Sequence, residues 1–205
     1  MNIESPILTP LPPSTAEVFW ETNRQKIVAS IIVLIVILFI IGGTLLWRRS
    51  YQLTADTLLS DASDRTGWQK IVTHYPHSEA AAAALLLIAA AQRNEHQLEA
   101  SNATYAHFLK QFSQHPLAIS ALIGEAMNDD LAGHPDQASN HFQQAAVAYP
   151  KSYGAPFALL SRVRLLARLG KTEEIPRALQ MISSQYPNSL VTRMFLRQGG
   201  MRRSN

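Results

Sequence analysis

Reactive chemistry announces itself as particular side chains at particular spacings, and histidine is the first candidate here. The chain has seven. His74 and His77 flank a Tyr75-Pro76 pair, while the others, among them His107, His115, His134 and His141, are scattered. A helical zinc site would need two histidines four apart with an acid beside one, as in H-E-x-x-H, and no such run occurs. There is no cysteine, which excludes a thiol nucleophile, a Cys-ligated zinc site and a disulfide scaffold. None of the serines sits in a G-x-S-x-G elbow, and no glycine-rich phosphate loop is present. Asp129 and Asp130 are adjacent, so a helix points them in different directions and they cannot act as a facing carboxylate pair. The expectation is a protein without catalysis, metal or cofactor.

Charge is the remaining chemistry. Formal net charge is +3, unevenly placed. Residues 50–136 hold four Lys/Arg and ten Asp/Glu; residues 151–205 hold ten and two. The basic cluster is Arg162, Arg164, Arg168, Lys171 and Arg177, followed by Arg193, Arg197, Arg202 and Arg203. Arg164 and Arg168 are four apart and share a helix face. Such a cluster is either a solvated surface or a patch for an acidic partner or anionic lipid headgroups. Aromatic side chains for base stacking are sparse there, so nucleic acid is not an expected partner.

Something must position these groups, and the dominant element is Ile27–Leu46. These twenty residues carry no charge. As a helix they span about 30 Å, the hydrocarbon thickness of a bilayer. Trp20, Arg24 and Lys26 flank one end; Trp47, Arg48 and Arg49 flank the other. Tryptophan favours the headgroup zone, and Lys/Arg can reach out to water. The stretch is too long for a signal peptide and no small-residue cleavage site follows it. A single permanent anchor in the lipid bilayer is expected. Its orientation is a tie by charge: Arg24, Lys26 and the amino terminus stand against Arg48, Arg49 and Arg65.

Four segments follow. Residues 1–23, with Pro6, Pro10, Pro12 and Pro13, form a proline-rich flexible tail, or else a docking strip for a partner. Residues 24–49 are the membrane helix with its flanks, 50–198 a helical repeat domain, and 199–205 a basic tail. Ser14 or Thr15 is placed to cap the helix that holds Val18, Phe19 and Trp20.

The repeat domain shows no alternating strand pattern. Four junctions read alike: Tyr75-Pro76, His115-Pro116, Tyr149-Pro150 and Tyr186-Pro187. Eight residues before each proline lies a large apolar side chain: Trp68, Phe108, Phe142 and Leu179. Proline pushes the residue before it out of helical geometry, so each junction ends a helix. Ser78, Ser152 and Ser189 are placed to cap the next one, as is Thr172. Gly133 and Gly170 fall where a hairpin turn needs positive φ. The spacing predicts helices over 50–60, 64–74, 79–93, 97–114, 117–131, 135–149, 153–169, 173–185 and 189–197. Ala80 to Ala84 and the apolar run after them predict the most buried helix; Glu79 and Arg93 bound too few uncharged residues to cross a membrane.

This pattern resembles the tetratricopeptide repeat. Its best unit is Leu122, Ala126, Gly133, Ala138, Phe142, Ala145 and Pro150. Ala126 and Ala138 resemble the family's small pair, Phe142 its aromatic wedge and Pro150 its terminating proline. The unit ending at Pro187 keeps Gly170 and Leu179 but has Val163 and Ile175 at the small positions. The fold expected is all-α: one N-terminal transmembrane helix, then a right-handed superhelix of antiparallel pairs with three to four degenerate repeats. Tail, single membrane helix and divergent repeats with Y-P-x-S junctions together resemble the bacterial YfgM-like family, an ancillary SecYEG translocon subunit and cell-division-coordinator type of repeat domain. That resemblance implies a single-pass inner-membrane protein with periplasmic repeats and no catalysis. Its partners would be export machinery or periplasmic chaperones. The alternative is an accessory subunit of a larger membrane complex, respiratory or photosynthetic, with Gly42-Gly43 allowing close helix contact.

Overall fold

The computed structural model describes residues 15–190 and 192–194. The expectations for residues 1–14, for Arg197, Arg202 and Arg203, and for the 199–205 tail lie outside the described residues. Eight α-helices are described: α1 Thr15–Asp61, α2 Arg65–His74, α3 Glu79–Asn94, α4 Leu98–Gln111, α5 Ala118–Leu131, α6 Pro135–Ala148, α7 Ala155–Arg168 and α8 Ile175–Gln185. No strand occurs among the described residues. Contacts divide the chain between Ser50 and Tyr51.

The first unit is the front part of α1. Its helix starts at Thr15, because no breaker follows Pro13. Residues Asn23–Asp61 include a window of mean hydropathy 3.0, long and apolar enough to cross a membrane. None of that window is buried within the chain, and Phe39 is 83% exposed. A core helix of a water-soluble protein would be covered; at about 25 cal/mol per Å² this much bare hydrocarbon is costly in water. Trp20, Arg24, Lys26, Trp47, Arg48 and Arg49 are all exposed along the helix. The sequence predicted a separate helix from residue 50. Residues 50–61 instead continue α1, since Trp47 to Tyr51 contains no proline or glycine to stop it.

In the second unit the end of α1 packs on the junction after α2. The Tyr51 ring packs tilted against Tyr75 with centroids 5.0 Å apart, Gln52 Oε1 accepts from the Glu79 N–H at 3.0 Å, and Ala55 is buried. From α3 onward the chain forms hairpins: α3 with α4, α5 with α6, α7 with α8. The helices run antiparallel. Ser101, early in α4, bonds Ala89 late in α3, and Gln111 at the end of α4 bonds Pro76 before α3. Each hairpin packs mainly on the next.

The backbone repeats every 37 residues. Hairpin turns fall at Glu95-His96-Gln97, Ala132-Gly133-His134 and Leu169-Gly170-Lys171. Each has the same paired bonds: Gln97 N–H to Gln92 and His96 N–H to Arg93, then His134 to Asp129 and Gly133 to Asp130, then Lys171 to Leu166 and Gly170 to Ala167. The middle residue takes positive φ: 58° at His96, 83° at Gly133 and 71° at Gly170. This left-handed cap closes the orphan carbonyls at a helix end. The turn between α3 and α4 has no glycine and is intact all the same, with His96 in the glycine's place.

The junctions repeat likewise at Tyr75, Phe112, Tyr149 and Tyr186. Their φ values are −126°, −125°, −128° and −128°. Each donates its N–H four residues back, to Ile71, Phe108, Ala145 and Ile182. The second junction is thus Phe112, not the predicted His115-Pro116. Phe112 is followed by Ser113, so the proline marker is missing there, and the next X-Pro pair draws the alignment three residues on. With that register Trp68, Tyr105, Phe142 and Leu179 are equivalent, and Phe108 is equivalent to Ile71, Ala145 and Ile182. All of Phe108, Ala126, Ala138 and Phe142 are buried.

Caps differ from junction to junction. Ser78 Oγ accepts from Ala81 N–H and Ser189 Oγ from Thr192 N–H, each at 3.0 Å. At the same position Ser152 meets Gly154 N–H at 3.3 Å, and α7 starts at Ala155, two residues later in the register than α3, without a side-chain cap. Thr172 does not cap α8. Thr172–Glu174 form a short 3-10 turn and α8 starts at Ile175, which puts Pro176 in the first turn, where its missing N–H is tolerated.

Candidate binding groove

Helices α3, α5 and α7 are the first members of their hairpins, and the 37-residue register places their faces in line. Leu86 matches Ile123, and Ala90 matches Met127 and Arg164. Leu86, Ala90, Ile123, Met127 and Phe157 line a crevice of about 350 Å³, open to solvent. Met127 and Phe157 are exposed although apolar. Arg93 and Tyr105 close one wall.

The Arg93–Tyr105 pair is the polar feature of this crevice. Arg93 Nη1 donates to Tyr105 Oη at 3.1 Å and lies 3.8 Å from Met127 Sδ. Burial pushes the Tyr105 hydroxyl above its ordinary pKa, and the opposing pull of the Arg93 charge is smaller. Arg93 is half-buried and forms no ion pair among the described residues. A partly desolvated guanidinium on an apolar wall favours an incoming carboxylate. Gly124 admits the Tyr105 ring to the groove wall, because a Cβ there would meet the ring.

The five-residue basic patch is divided. Arg162 Nη2 bonds Glu174 at 2.9 Å, Lys171 Nζ bonds Asp136 at 2.7 Å, and Arg168 pairs with Asp130. Hydrogen bonding to Asp136 raises the Lys171 pKa, and its charge adds to the effect. Arg164 and Arg177 are exposed and form no ion pair among the described residues. Asp129 meets His141 Nδ1 at 2.5 Å. The adjacent acids therefore turn to different partners, as their spacing requires. His115 is fixed at a junction: its Nε2 is 2.5 Å from Glu79 Oε2, and Nδ1 accepts the Leu117 N–H at 3.1 Å. No metal-ligating group of three His, Asp or Glu occurs among the described residues.

One polar network escaped the sequence. Ser101 Oγ donates to the Ala89 carbonyl at 2.8 Å and accepts from Asn128 Nδ2 at 2.9 Å. Asn128 also donates to Asn102 Oδ1 at 2.6 Å. Ser101 and Asn128 are buried and tie the α3–α4 hairpin to α5. A lone asparagine in a helix reads as surface until its neighbour across the hairpins is known. No family model matches this sequence, and no curated protein matches it.

Proposed function

We propose that this chain is a non-catalytic, membrane-anchored adaptor with a tetratricopeptide-like right-handed superhelix. It binds apolar segments carrying a carboxylate in the groove of α3, α5 and α7. The observation that carries the reading is Arg93, half-buried beside Met127 and Phe157 with no ion pair among the described residues. Affinity comes from packing and one charge-assisted contact rather than from bonds made or broken. The apolar part of α1 supports the anchor: it is uncovered and long enough to span. Holding the groove at a membrane raises its effective concentration toward membrane partners. The likeness to the YfgM-like pattern supports a periplasmic repeat domain on a bacterial inner membrane, working beside export or envelope-assembly machinery.

Photo-crosslinking tests this. A photoreactive side chain at Phe157 should give protein adducts that the same group at Val147, exposed on α6, does not give. Arg93→Gln should weaken the Phe157 adducts about tenfold, the loss of one charge-assisted bond. Equal adducts from both sites, or adducts indifferent to Arg93, would sink the reading. A stoichiometric complex held through α1 would favour the accessory-subunit alternative. Protease protection in spheroplasts checks the side of the membrane.

A further inference from the structure

The junction edge of the last two hairpins carries a second surface. Tyr153 is fully exposed. With Lys151 it walls a crevice of about 500 Å³, whose other side is Pro187 and Ser189. Beyond Ser189 the chain is pinned by Thr192, which is buried: its N–H bonds Ser189 Oγ, and its Oγ1 donates to the Tyr186 carbonyl at 2.6 Å. With Thr192 inward, Leu190, Arg193 and Met194 point out. Leu190 is 66% and Met194 56% exposed.

The charge around this edge has one sign. Between Lys151 and Asn205 the acids are Glu173 and Glu174 alone. They sit at the other end of the hairpin, in the turn that starts α8, where Glu174 is bonded to Arg162. After Glu174 come Arg177, Arg193, Arg197, Arg202 and Arg203 with no acid. A tyrosine, two bare apolar side chains and the exposed cations Lys151 and Arg193 on one edge match an anionic lipid surface: apolar groups enter the headgroup boundary and cations meet phosphate. An acidic protein would match the cations and Tyr153 equally; lipid is favoured because the uncovered apolar span of α1 already holds the chain at a bilayer.

We propose that the edge formed by Tyr153, Leu190 and Met194, with Lys151 and Arg193, docks on the anionic surface of the membrane that holds α1. This rests on the anchor reading and is independent of the groove. The bilayer is then tethered to the edge, so weak lipid affinity suffices.

The test uses the full-length chain in nanodiscs of phosphatidylcholine, alone or mixed with phosphatidylglycerol. Because the chain has no cysteine, Met194→Cys gives one attachment point for an environment-sensitive fluorophore. The expected result is a blue shift and quenching by spin-labelled lipid in anionic discs only. Both should disappear at high salt and in a Lys151→Glu/Arg193→Glu variant whose helical circular dichroism is unchanged. A second label, Tyr153→Cys, should respond in the same way. Identical spectra in the two disc types overturn the proposal. So does a shift produced by an acidic amphipathic peptide and not by lipid, which makes the edge a protein-docking face. A chain that fails to enter either disc overturns the anchor reading, and this proposal with it.

Discussion

Gly124 lies against the ring of Tyr105 so closely that a Cβ built on it would stand 2.2 Å from Cζ and 2.5 Å from the hydroxyl oxygen. In a helix interior glycine costs about 1 kcal/mol relative to alanine, so Gly124→Ala should stabilise α5 by propensity alone. The contact reverses that sign. We expect Gly124→Ala to destabilise the chain by about 1–3 kcal/mol, the usual cost of overpacking, and to displace Tyr105 from Arg93. Chemical denaturation measures the first. A double variant with Tyr105→Leu should recover most of the loss; no recovery would mean that the ring is not the obstacle.

His96 takes φ 58° at the turn position where Gly133 and Gly170 stand in the later hairpins. A side chain in left-handed geometry costs roughly 1–2 kcal/mol. His96→Gly should therefore stabilise by up to about 1 kcal/mol, the gain being reduced by glycine's larger unfolded-state entropy. Gly133→Ala should destabilise by about 1 kcal/mol or more, although open space surrounds its Cβ position. Opposite shifts in thermal midpoint are the expected readout. Shifts of the same sign would refute the equivalence of the two turns.

Glu125 has a raised pKa. Burial is the largest cause, the Asp129 charge adds to it, and the His141 charge opposes it. A carboxyl whose folded pKa exceeds its unfolded pKa binds more protons when folded. Stability then falls as pH rises from the unfolded value through the folded one. Glu125→Gln should stabilise the chain at neutral pH, with the advantage vanishing once the pH is below the unfolded carboxyl range. Denaturation midpoints of both proteins from pH 3 to 8 check this; a gap independent of pH would point to packing instead.

Much of the helical order is legible in the sequence because proline and glycine punctuate it. Pro76, Pro150 and Pro187 mark three junctions, and Gly133 and Gly170 mark two turns. The remaining junction and turn are hidden for one reason. Phe112 and His96 adopt the same backbone as their equivalents without the residue that usually signals it. The groove was less legible. Arg93 looked like the boundary of an apolar run, and its bond to Tyr105 depends on two helices folding together. Likewise the basic cluster looked continuous because Asp130 and Asp136 lie 38 and 35 residues from Arg168 and Lys171, too far for sequence neighbours to suggest pairing.

The hairpins make their main contacts in sequence order, α3 with α4 through to α7 with α8. Cohesion is then distributed along a line, with few long-range ties to bind one end to the other. Such a stack can melt from its open end inward, like a zip, while the remainder stays shut. Hydrogen exchange in α8 should outpace that in α5, so ordering of the terminal hairpin by anything that grips it would stiffen the whole array step by step.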